Sequence, residues 1–229
     1  MASYKISITE KVIMGLVLAI IITGFILFYT NLPAFVIYVE EDGFVEWLTV
    51  LGLILGVGIC LRRLISLRKQ RSWWFLFCIA GLALLLFFAA GEEISWGQRI
   101  LGIKSSEFFN KNNAQHETNL HNLVVNGHKI NKIIFSIGLI AMLGLYLIVG
   151  PLLYRYSGKF KEMVDKSGIP IARAYQVIAI LLLFLLTELL RHEKRAEILE
   201  AGITLLFYLI IKYPANRYIF NKGPLVISG

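Results

Sequence analysis

Polar sequence is scarce in this chain. Only 17% of its 229 residues are charged, against 57% hydrophobic, and the mean hydropathy is +0.70. That is too apolar for a soluble domain. The longest polar connection, about 103–130, leaves little room for one. Cysteine occurs only twice, at Cys60 and Cys78, each inside an apolar run. That argues against a disulfide framework and against a CxxC metal site. Both fit small buried hydrophobes. No HExxH zinc signature, HxxxH pair or GxSxG nucleophile elbow is present.

What the chain does have is six long apolar blocks, at roughly 11–31, 44–61, 73–91, 132–154, 171–190 and 198–212. A bilayer core takes about 20 apolar residues per helix. Backbone polar groups in lipid must be satisfied internally, so blocks of this length are helical. The expected fold is all-α: one integral membrane bundle of about six transmembrane helices, spanning 1–229. The first block follows Lys5 and Lys11 as a signal peptide would, but no small-x-small cleavage site follows it before Asn31. It is expected to be an uncleaved anchor.

Basic residues set the expected orientation. Loops 61–71 and 154–173 and the two termini hold fifteen of the 23 Lys and Arg residues. This places both termini in the cytoplasm. The net charge of +8 is thereby explained by topology and does not call for nucleic acid. Twelve of the fifteen acids and all four histidines then fall on the outer side. The rule does not demand that asymmetry, because acids contribute little to orientation.

The outer side carries the candidate chemistry. The third block runs without a spacer into Gly91-Glu92-Glu93-Ile94-Ser95-Trp96-Gly97-Gln98-Arg99, and Gln115-His116-Glu117-Thr118-Asn119-Leu120-His121-Asn122 follows. If the helix continued past Glu93, Glu92, Ser95 and Arg99 would share a face. Residues 115–125 can form a short helix, which would put Glu117 and His121 one turn apart. Glu188 and His192 have the same spacing. Carboxylate and imidazole at i and i+4 suit either a metal site or a salt bridge. Asp42 is suited to cap the second block. Glu46 and Glu200 open inbound helices, where a carboxylate must face protein, water or a cation. Glu197 is expected to be an ordinary first-turn acid.

The Gly-Glu-Glu-Ile-Ser-Trp-Gly-Gln run with Glu-Thr-Asn-Leu-His-Asn resembles a signature of polytopic bacterial membrane proteins. The resemblance covers about 91–122, with a looser likeness at 40–47, and implies the bacterial inner membrane without bringing an activity. The functional expectation is an outward-facing hydrolase or transferase acting on a lipid or lipid-linked substrate. Its catalytic candidates are Glu92, Glu93, Ser95 and Gln98. Glu117, His121, Glu188 and His192 are candidate ligands for a divalent metal (Zn, Mn or Fe). Glu46, Arg99, Asn122 and Glu200 complete the site. The alternatives are a non-catalytic subunit docking a membrane partner through its acidic face, or a cation- or proton-linked transport component.

Overall fold

The computed structural model describes residues 5–120, 123–125, 128–129 and 138–223. The candidates His121 and Asn122 lie outside them. Ser7 opens the first helix, α1 (Ile8–Thr30), through a capping box: its Oγ accepts from Glu10 N at 3.2 Å, and its N–H donates to the Glu10 carboxylate at 2.8 Å. Asn31 ends α1 and caps the short α2 (Leu32–Tyr38), whose first turn holds Pro33. Then come α3 (Phe44–Leu67) and α4 (Trp73–Glu93), the latter capped by Ser72. Among the described residues, three helices, α1, α3 and α4, are long and apolar enough to cross a membrane. Their outward residues, such as Ile22, Ile26, Leu84 and Phe87, are exposed hydrophobics of the kind lipid covers.

Short elements follow α4: a single turn at Ser95–Gly97, then α5 (Gln98–Leu101), α6 (Glu107–Asn112) and a two-residue hairpin of β1 (Val124–Val125) and β2 (His128–Lys129). A fourth apolar run passes from α7 (Leu139–Gly144) through a π-helical turn (Leu145–Val149) into α8 (Gly150–Tyr156). The remaining helices are α9 (Gly158–Lys166), α10 (Ala174–Leu189) and α11 (Arg195–Lys212).

The long elements alternate in direction, so the chain has two ends. One gathers the segments 31–43, 94–120 and 190–194. The other gathers 68–72, 154–173 and 213–223, together with the start of α1. The bundle closes around α11, which packs against α3, α10 and α1. Ile198, Ala201, Leu205, Leu206 and Leu209 of α11 are all completely buried. At its closest crossing, Gly52 of α3 meets the α11 backbone, where a Cβ would stand 2.8 Å from the carbonyl carbon of Thr204. Small residues at such crossings let helices approach within backbone contact.

Two expectations about the extent of helices are corrected by the structure. The helix foreseen over 44–61 runs on to Leu67, because its basic turn stays packed: buried Arg63 donates to Ile211 O at 2.5 Å. The helix foreseen over 115–125 does not form. Asn113 Oδ1 accepts from Gln115 N at 2.9 Å and Glu117 N at 3.3 Å, and His116 takes a φ of 60°. These side-chain bonds to the backbone hold the segment in turns instead. Glu117 is therefore not placed by helical spacing from His121.

Candidate functional site

The site is built where α4 stops. Ser95 and Trp96 adopt left-handed φ values of 46° and 55°. Residues with a Cβ accept that strain only where their surroundings hold them. Here the Trp96 ring folds back over Gly91, so closely that a Cβ on Gly91 would lie 2.8 Å from it. Trp96 Nε1 donates to Glu92 Oε1 at 2.8 Å, and Leu120 N donates to Glu92 Oε2 at 2.5 Å. Glu92, only 7% exposed, thus pins the loop to the helix end. The shared face of Glu92, Ser95 and Arg99 on a continuing helix does not arise.

Ser95 is completely buried. Its Oγ donates to Glu117 Oε2 at 2.5 Å and accepts from Asn119 Nδ2 at 2.8 Å. Arg99 then gathers three carboxylates from separate segments: Asp42 in close contact, Glu117 at 3.2 Å and Glu46 at 3.7 Å. Asp42 is not the cap of α3. Gly43 takes that position, and the Glu46 carboxylate reaches back to accept from Asp42 N. Gln98 serves the loop as well, donating to Ser105 Oγ at 2.7 Å and accepting from Thr118 N at 2.8 Å.

Behind this loop lies a cavity of about 50 Å³, lined by Glu41, Glu46, Glu92, Glu93, Glu197, Glu200, Arg99, Gln115 and Asn119. It has room for a few water molecules. Six glutamates face it against one arginine. Glu46 and Glu92 are held as described, and Arg99 is already shared among three acids. Among the described residues, no hydrogen bond or ion pair reaches the carboxylates of Glu93, Glu197 or Glu200. Glu93 and Glu200 lie within electrostatic reach of one another and of Glu46 and Glu197. The close crossing at Gly52 produces this arrangement by setting the first turn of α3 against the first turn of α11. Carboxylates so confined must share protons or a cation. In such a set a protonated member can give a proton and an ionised one can take it.

The other candidates are dispersed. Glu188 makes a two-oxygen pair with Arg195 Nη2 at 3.1 and 2.9 Å. α10 ends at Leu189, so His192 is not one helical turn from Glu188. The His192 ring packs edge-on against Phe35, with centroids 5.2 Å apart. Among the described residues, no group of three or more His, Cys, Asp or Glu side chains is arranged to hold a metal ion. Sequence reasoning passed over Glu41, Gln115 and Asn119 as site residues and gave Glu197 only the role of a first-turn acid. For Glu197 a signal existed, since it stands three residues from Glu200 on one helical face. No protein-family model, curated protein or solved structure matches the chain.

Proposed function

We propose that the chain is a six-span bacterial inner-membrane protein with both termini in the cytoplasm. On this reading its acidic cavity faces outward and serves as the acid–base site of a hydrolase or transferase acting on a lipid or lipid-linked substrate. The observation that carries the reading is the set of unpaired carboxylates of Glu93 and Glu200, brought from α4 and α11 into one water-sized cavity. One would act as general acid and the other as general base. Glu46, Glu92 and Arg99 would hold the surrounding loop, and Ser95 would position Glu117.

The lipid substrate is supported by the surroundings. Ile100, Leu101, Ile103 and Phe108 are 55–68% exposed beside the cavity. Such a segment settles at the boundary between headgroups and acyl chains. A substrate reaching Glu93 would have its reacting group at that depth.

The test uses cells lacking the protein, complemented with the wild type, Glu93→Gln or Glu200→Gln. Mass spectrometry of lipid extracts is expected to show a precursor that accumulates without the protein and also with either variant, while both variants reach the membrane in normal amount. Full restoration of the lipid profile by both variants would refute the acid–base reading. The metal content of protein purified without chelator tells whether protons or a cation balance the cavity.

A further inference from the structure

Another cavity lies toward the opposite end and is apolar. It is a slot of about 330 Å³ between α4 and α7, walled by Leu82, Leu85, Met142, Leu143 and Phe207. Leu85 and Met142 are 63% and 69% exposed on its walls. One end is closed by the turn 167–170, which is firmly built. Ser167 Oγ accepts from Trp74 Nε1 at 3.1 Å, and Tyr146 OH donates to Pro170 O at 2.5 Å. Gly168, at φ 66°, lies against the ring of Phe75.

Charge marks what the slot faces. The nine-residue α9 is too short to cross a membrane and runs directly into this turn. It buries Val164 and Asp165 and exposes Lys159 and Lys166, the latter paired with Glu162 at 2.6 Å, which leaves the helix with one net positive charge. A short basic amphipathic helix lies in the plane of the membrane surface, where lysines attract anionic headgroups. An apolar slot among membrane helices, closed by the turn into which such a helix runs, has the two parts that one lipid molecule requires.

We propose that the slot binds an anionic phospholipid from the leaflet at the basic end. One acyl chain lies along Leu82, Leu85, Met142 and Phe207, and the headgroup sits beneath Lys159 and Lys166. The inference is independent of the acidic cavity and of any reaction there.

Native mass spectrometry of the full chain, with phosphatidylglycerol or phosphatidylcholine added to the detergent, tests it. Retention of phosphatidylglycerol is expected to exceed that of phosphatidylcholine about fivefold, as one uncompensated lysine charge near a headgroup allows. Leu85→Trp combined with Met142→Trp narrows the slot at exposed positions and is expected to reduce retention of both lipids about tenfold. Leu84→Trp, at a site 68% exposed on α4 but outside the slot, is expected to leave retention unchanged. Lys159→Gln with Lys166→Gln is expected to abolish only the preference for phosphatidylglycerol. Equal retention of the two lipids by the wild type would overturn the proposal. So would slot-narrowed protein that holds lipid as well as the Leu84→Trp control does.

Discussion

Alanine at Gly52 tests the crossing on which the acidic cavity depends. A Cβ there would meet the backbone of α11 at 2.8 Å (Thr204 C) and 2.9 Å (Leu205 N). Neither atom can turn aside as a side chain would, so α3 and α11 must separate or slide. Overpacking of this kind destabilises by about 1–3 kcal/mol. The same substitution at Gly58, on the same helix, meets nothing within 4 Å. Both variants gain the same helix propensity, up to about 1 kcal/mol. Subtracting one from the other therefore removes that contribution and leaves the steric effect. Unfolding in mixed micelles, with denaturing detergent titrated against the native one, should place Gly52→Ala about 1–3 kcal/mol below Gly58→Ala. Coincident unfolding curves would refute the close crossing, and with it the facing of Glu46 toward Glu197 and Glu200.

Two other outcomes are expected. Ser95 sits at φ 46° and is wholly buried, so Ser95→Gly should destabilise less than Ser95→Ala in a thermal melt, although both lose the bond to Glu117. The reverse order would show that the left-handed backbone is not under strain. At the other end, burial and then the hydrogen bond to the Asp165 carboxylate raise the pKa of the Tyr218 phenol above its ordinary value. Its contribution to stability is thus complete below the unfolded tyrosine range of about 10 and is lost as pH rises beyond it. Melting temperatures measured from pH 8 to 11 should fall less steeply for Tyr218→Phe than for the wild type. Parallel slopes would contradict the assignment.

The helices were legible because apolar length and capping residues are local. The block read at 73–91 appears as Trp73–Glu93, and that at 171–190 as Ala174–Leu189. Where α3 ends was not legible, since Arg63 stays helical by bonding to Ile211, distant in sequence. The loop at the acidic end was hidden for the same reason. Residues 115–125 can form a helix by their composition, but Asn113 Oδ1 accepts from the backbone ahead of it. Ser95 and Trp96 likewise turn the chain through contacts with Glu117, Asn119 and Gly91. The residue types at the site were visible as a cluster of acids on one side. Which acids share the cavity depended on the Gly52 crossing, and no pattern within a single segment encodes that.

The position of α11 has a consequence for how the protein is made. Among the described helices it is the one most enclosed by others, and α1, α3 and α10 all precede it in the chain. At ribosomal rates of 5–20 residues per second, roughly 10–40 s separate the completion of α1 from that of α11. Throughout that interval the earlier helices lack the element they surround. The glutamates on α3 and α4 likewise wait without their counterparts on α11. The packing of α1, α3 and α10 is thus completed only when α11 arrives, so a defect confined to α11 would remove the element that joins them.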